Sequence, residues 1–134
     1  MAGQKLKILP GPAAYYVDRW RLSGTLEIGG AFLRRYPVGI GPERKTPSGI
    51  FSIHDKQANP EWYFNGSRIP FGDPRNILGT RWMGFEDPAD YGIHGTTKPE
   101  TVGTPSSNGC VRMRNADVEE LFDMVPRGTS VTVQ

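Results

Sequence analysis

Apolar residues in this chain fall in short runs separated by glycine, proline and polar clusters. This spacing predicts strands over most of the length. Ala14 to Val17 and Leu22 to Ile28 read as strands, supported by the extended preference of Tyr15, Tyr16 and Thr25. Gly29-Gly30 is a two-residue hairpin signal, and Ala31 to Ile40 returns as a strand through Phe32, Leu33, Tyr36 and Val38. Residues 41–49 form a polar loop, and Ile50 to His54 is another short strand. The stretch 57–82 fits neither a helical nor an alternating period. It combines Pro60, Pro70 and Pro74 with Trp62, Tyr63, Phe64, Phe71 and Trp82, and predicts a long aromatic loop that packs on its own side chains and walls a cleft. An ordinary structural loop is the alternative. One helix, about 116–125, stands out: Val118, Leu121, Phe122 and Val125 make one apolar face, Asn115 reads as its N-cap, and Asp117, Glu119 and Glu120 suit its positive end. Pro126 and Gly128 end it, and Ser130 to Val133 closes the chain as a strand. The expected class is mainly β, a mixed barrel or sandwich of short strands with one helix near the C-terminus.

Composition narrows the options. With 134 residues the chain suits one domain, and its 17 Gly and 12 Pro, interleaved with apolar runs and three Trp, indicate a turn-rich fold rather than a disordered one. No apolar run approaches membrane-spanning length, so no membrane insertion is expected, and Met1 to Lys5 carries no apolar leader. Residues 1–50 hold eight Lys/Arg against three Asp/Glu, whereas 51–134 hold eight against eleven. This is solvated surface or a weak attraction to an anionic polymer; no basic run with interleaved aromatics points to nucleic acid. Segment 6–9 ends at Pro10-Gly11-Pro12, and residues 1–12 read as a linker or the tail of an upstream domain.

The candidate chemistry rests on Cys110, the one cysteine, and His94, one of two histidines, sixteen residues upstream. A thiol and an imidazole that reaches it suffice for nucleophilic catalysis. A single cysteine makes no internal disulfide, which leaves a reactive thiol or a buried small hydrophobe; the polar, turn-like flanks favour the former. Gly109 permits a tight turn, and the backbone N–H groups of Gly109 and Cys110 are candidate donors to an oxyanion. If Cys110 to Arg114 is extended, Val111 and Met113 face the core while Arg112 sets a cation beside the thiol and lowers its pKa. His94 follows Tyr91-Gly92-Ile93 and reads as the end of a strand, a rigid mount for a base; a structural histidine is the alternative, and on residue type alone the more frequent one. His54 reads as structural or surface. The two histidines and one cysteine match no zinc spacing, so no metal site is expected. Asn65-Gly66-Ser67 formally matches a glycosylation acceptor, a tripeptide common by chance.

His94-Gly95-Thr96, the run from Ser107 to Val118 and the run from Val125 to Val131 resemble the L,D-transpeptidase catalytic domain, the YkuD family. Tyr36 to Gly41, Thr46 to Phe51, Asn59 to Tyr63 and Asp73 to Gly79 resemble its blocks in the same order, so the resemblance covers about 13–134. It implies a cysteine acyltransferase acting on peptidoglycan stem peptides. Cys110 forms a thioester with release of D-Ala, and the amine of a second stem resolves it as a 3–3 cross-link. Water in place of the amine gives an L,D-carboxypeptidase; a silent cell-wall binding module, or a cysteine protease or amidase with the same dyad, are further alternatives. His94 is the implied base, the Gly95 carbonyl its orienting group, and Arg112 a substrate grip. Ser107, Asn108, Gly109, Trp62 and Tyr63 are candidate substrate contacts. Many members carry a second His where this chain has Asn108, which hydrogen-bonds but cannot relay a proton near neutral pH. No cofactor is implied, carbapenem-type β-lactams are expected covalent inhibitors, and the site of action is extracytoplasmic, with this chain an excised domain of a longer exported protein.

Overall fold

A computed structural model describes residues 11–42, 46–105 and 110–134. The apolar segment 6–9, the middle of the polar loop and the residues Ser107, Asn108 and Gly109 lie outside the described residues. Among the described residues the strands are β1 (Ala13–Asp18), β2 (Ser23–Ile28), β3 (Ala31–Pro37), β4 (Gly49–Ala58), β5 (Trp62–Phe64), β6 (Ser67–Ile69), β7 (Arg81–Phe85), β8 (Gly92–His94), β9 (Val111–Arg112) and β10 (Ser130–Val133), with one α-helix, α1 (Asn115–Met124). Eight strands form one mixed sheet in the order β3-β2-β1-β10-β4-β7-β8-β9, and β5 and β6 form a separate hairpin. The mainly β class with one helix is what the sequence predicts.

Alternation builds the core. Tyr15 and Val17 on β1, Leu26 on β2 and Val131 and Val133 on β10 are buried, and the register sets Tyr15 beside both Leu26 and Val131. Gly29 and Gly30 take positive φ and join β2 to β3, as their sequence predicts. Strand β3 ends at Pro37, short of the expected Ile40, and residues 38–40 run on from it to the edge of β9. There Gly39 exchanges both backbone hydrogen bonds with Arg112 of β9, at 2.7 and 2.8 Å. The sheet is therefore curled until its two ends meet. A Cβ on Gly39 would lie 2.9 Å from the Thr101 carbonyl, so the closure needs a residue without a side chain there.

The stretch 57–82 holds more regular structure than its sequence suggests. Trp62–Phe64 pairs with Ser67–Ile69 around Asn65 and Gly66, whose φ values of 51° and 75° make the tight turn that Asn-Gly favours. Three residues per strand are too few to display alternation. The following loop hangs on Asn76, buried, whose Nδ2 donates to the carbonyls of Pro60, Ile69 and Pro70 while its Oδ1 accepts from Leu78 N–H.

Helix α1 packs Val118 and Leu121 into the core, with Val125 just beyond its end. Asn115 is not its N-cap. Arg114 occupies that position without a side-chain cap bond, and Asn115 is the first helical residue with its side chain turned elsewhere. The C-terminal end is held by Lys56 of β4, whose Nζ donates to the carbonyls of Phe122 and Val125 at 2.6 Å each. A cation there also suits the negative end of the helix dipole.

Candidate active site

Strand β8 is a buried three-residue strand between β7 and β9. It pairs antiparallel with β7, setting His94 opposite Trp82, and parallel with β9, setting Ile93 opposite Val111 and His94 opposite Arg112. Ile93 and Val111 point into the core, so the side chains of His94 and Arg112 leave on the other face. Cys110, one residue before β9, belongs to that same face, diagonal to His94 across the parallel pair. The local sequence thus mounts thiol and imidazole on adjacent strands without any loop between them and the core.

Both side chains open into a groove of about 500 Å³. One wall is the aromatic hairpin, with Trp62, Tyr63 and Phe64; the other includes Trp82 and Tyr91. The expectation that the aromatic segment walls a cleft holds, and Trp62 and Tyr63 both face it. Asp55, Glu61 and Asp90 also line the groove, and no Lys or Arg does among the described residues. Cys110 is partly exposed, and its Sγ donates to the Asp90 carbonyl at 3.8 Å.

His94 is 3% exposed, and its ring lies tilted against Trp82 with centroids 6.1 Å apart. Its Nδ1 is 2.5 Å from the Gly95 carbonyl oxygen. A carbonyl only accepts, so Nδ1 carries the proton and Nε2 keeps a free lone pair. Burial lowers the His94 pKa to about 4; the Gly95 carbonyl works against this shift, and the Arg112 charge adds to it. Burial also raises the Cys110 thiol. A hydrogen bond from the Gly92 backbone opposes that rise, the Asp90 charge adds to it, and the Arg112 cation opposes it. The sequence predicts that Arg112 depresses the thiol pKa; it pulls in that direction, but desolvation wins. At neutral pH the groove therefore holds a neutral thiol and a neutral imidazole.

Arg112 is 8% exposed and lies behind the thiol rather than along the groove. Its Nη1 donates to Thr101 Oγ1 at 2.8 Å, in the 3-10 turn Pro99–Thr101, and its Nε has no partner among the described residues. His54 is exposed, as its sequence setting predicts, and stays away from the site. Trp82 belongs to the aromatic segment expected to wall the cleft, whereas the sequence carries no signal for Asp90 and suggests a different role, a helix cap, for Asn115. The place of Trp82 opposite His94 comes from the strand pairing, and Asp90 acts partly through its backbone. Among the described residues, no three His, Cys, Asp or Glu side chains are grouped to hold a metal ion.

Residues 20–133 match the family described as the L,D-transpeptidase catalytic domain, YkuD. The chain belongs to the L,D-transpeptidase family. The YqjB protein of Bacillus subtilis, which carries an L,D-transpeptidase name, is 47% identical over 103 residues, covering 73% of this chain and 57% of that protein. The B. subtilis L,D-transpeptidase YkuD is 37% identical over 140 residues, covering 98% and 76%. The chain therefore spans between half and about three quarters of these relatives. The catalytic domain of an Enterococcus faecium L,D-transpeptidase superposes with a TM-score of 0.72 at 23% identity, covering 93% of this chain and 98% of that domain. The curled sheet is thus the fold of an L,D-transpeptidase catalytic domain, and its groove is lined by both His94 and Cys110.

Proposed function

We propose that the chain is a cysteine-dependent L,D-transpeptidase that forms 3–3 cross-links in peptidoglycan. One observation carries this reading: Cys110 and His94 share one groove, and the Gly95 carbonyl holds the imidazole with Nε2 free to take the thiol proton. As Sγ attacks the carbonyl joining the diamino residue to D-Ala, Nε2 accepts the thiol proton and the carbonyl oxygen becomes an oxyanion. Collapse breaks the C–N bond, Nε2–H protonates the departing amine of D-Ala, and a thioester remains on Cys110. The amine of a second stem attacks the thioester, its proton passes to Nε2, and the sulfur leaves and is reprotonated. The buried Arg112 charge stabilises negative charge as it develops on sulfur. Asp55, Glu61 and Asp90 give the groove an anionic lining that draws in the acceptor as its ammonium, which releases one proton to solvent before it attacks as the neutral amine; its enrichment in the groove favours transfer to an amine over hydrolysis.

Residues 13–134 are the catalytic unit in this reading, and residues 1–12 a linker or upstream tail. The reaction takes place outside the cytoplasmic membrane, where peptidoglycan lies; no described helix is long and apolar enough to cross a membrane. β-Lactam capture follows from the same chemistry, since the thiol opens the strained amide as it opens the stem peptide bond. Two solved proteins of this fold carry such molecules: LdtMt1 in complex with imipenem (TM-score 0.74, 19% identity) and an L,D-transpeptidase from Mycobacterium tuberculosis with a faropenem-derived adduct (TM-score 0.73, 18% identity).

Intact-mass spectrometry after exposure to imipenem tests the nucleophile. The wild-type chain gains one covalent adduct, and a folded Cys110→Ala variant gains none. Incubation with disaccharide-tetrapeptides then yields a 3–3 dimer with release of D-Ala. A shortened monomeric stem as the sole product would instead identify a carboxypeptidase, and an unmodified wild-type mass would leave a binding module.

A further inference from the structure

Asn115 opens helix α1 but does not cap it. Its Oδ1 reaches across to accept two backbone N–H groups, from Thr96 at 3.0 Å and from Thr80 at 3.2 Å. The Thr96 N–H belongs to the same peptide group as the Gly95 C=O. That group is trans, so the two point in opposite directions. The far end of the peptide plate is therefore fixed by Asn115, and the near end accepts the proton of His94 Nδ1. The arrangement leaves no space for side chains. A Cβ on Gly95 would collide with Asn115 Oδ1, and one on Gly79 would collide with both Thr96 N and Asn115 Oδ1. One helical turn on, Glu119 Oε2 accepts from Thr80 Oγ1 at 2.7 Å, so α1 grips the Gly79–Thr80 turn at a second point and backs the Asn115 contact.

We propose that Asn115 is a positioning residue for the thiol–imidazole pair, acting on His94 through the Gly95–Thr96 peptide group. The inference rests on the catalytic reading given above. Accepting the Thr96 N–H sets the tilt of the peptide plane and hence the direction of the Gly95 carbonyl. It also polarises that carbonyl into a stronger acceptor, because hydrogen bonds in series reinforce each other. The tautomer with Nε2 free then depends on a side chain that touches neither sulfur, imidazole nor substrate.

The test uses the intact chain with Asn115→Ala and Asn115→Asp, the latter keeping an acceptor oxygen at the same reach. Two quantities are read: the His94 ring tautomer, from ¹H–¹⁵N correlation through the ring carbons, and the maximal rate of imipenem acylation with its half-saturating concentration. The wild type shows the Nδ1–H tautomer. Asn115→Ala mixes tautomers and loses about tenfold to a hundredfold in maximal rate, as expected when a reacting group is misaligned, with the half-saturating concentration within about twofold. Asn115→Asp restores the Nδ1–H tautomer and most of the rate. A folded Asn115→Ala that keeps a single Nδ1–H tautomer and the wild-type rate overturns the proposal, as does equal loss in both variants. If Asn115→Ala does not fold, Asn115→Ser, too short to bridge both N–H groups, is read in the same way. Absence of acylation in the wild type would strike the catalytic reading instead, and the tautomer would still decide the role of Asn115.

Discussion

The imidazole of His94 is kept away from water. Its pKa, brought down to about 4 mainly by burial, means that the folded chain leaves it neutral where an unfolded chain protonates it. Between the unfolded value near 6.5 and the folded value near 4, the unfolded state binds more protons, so stability falls as the pH falls. The linkage amounts to about 3 kcal/mol across that window. Urea denaturation from pH 7.5 to pH 4 therefore shows a decline in the wild type that His94→Gln lacks. The same shift protects the chemistry. An imidazole of ordinary pKa loses more than about nine tenths of its neutral form by pH 5, whereas acylation by imipenem is expected to stay nearly flat from pH 7 to pH 5. A drop of tenfold or more over that interval would show that the groove hydrates His94. At the alkaline end the raised thiol resists ionisation, so in the proposed mechanism proton transfer to Nε2, rather than a standing thiolate, starts the reaction.

At the level of elements, helix α1 is stopped and held by a partner from the sheet. Lys56 reaches from β4 to the Phe122 and Val125 carbonyls, and its ammonium lies 4.3 Å from the Phe122 ring centroid. Burial lowers its pKa, with the Arg127 charge adding to the effect, yet two charge-assisted bonds remain. Lys56→Met keeps the stem and removes those bonds. It is expected to cost about 1–3 kcal/mol, read as an earlier midpoint in urea, with imipenem acylation of the folded fraction unchanged. This contact joins residues 66 and 69 positions apart, which no local pattern encodes. What the sequence did encode at this scale is uneven. The apolar face of α1, the Gly29-Gly30 hairpin and the C-terminal strand were legible because periodicity and turn chemistry are local. Strands β5 to β7 were not, because each is short and interrupted, and the Asn65-Gly66 signal was read as a glycosylation tripeptide rather than a turn. Asn115 misled for a related reason: a residue type suited to an N-cap is equally suited to accept N–H groups from distant backbone. The thiol and imidazole were legible as residue types and as a family block. Their common groove was not, since it depends on the parallel pairing of β8 with β9.

Over the whole molecule, the order of strands in the sheet differs from their order in the chain. Strand β10, the last to be made, lies between β1 and β4, parallel to the first and antiparallel to the second. Without it the sheet divides into β3-β2-β1 on one side and β4-β7-β8-β9 on the other, joined by the Gly39–Arg112 closure, the packing of the core and a few contacts such as Tyr36 to Glu120. Val131 and Val133 are buried between those halves, with Tyr15 and Val17 as their parallel partners. Local pairings such as β1–β2 and β2–β3 form early at little loop-closure cost, whereas the parallel β1–β10 pair closes a loop of nearly the entire chain. The cooperative structure is therefore expected to depend on its final segment. Removing residues 130–134 leaves the groove residues in the chain but exposes two new sheet edges and the core between them. The truncated chain should show no cooperative urea transition by circular dichroism and no adduct with imipenem. Retention of both would mean that the two half-sheets are held by core packing, the Gly39–Arg112 bridge and those contacts alone, and that β10 is an addition to the fold instead of its keystone.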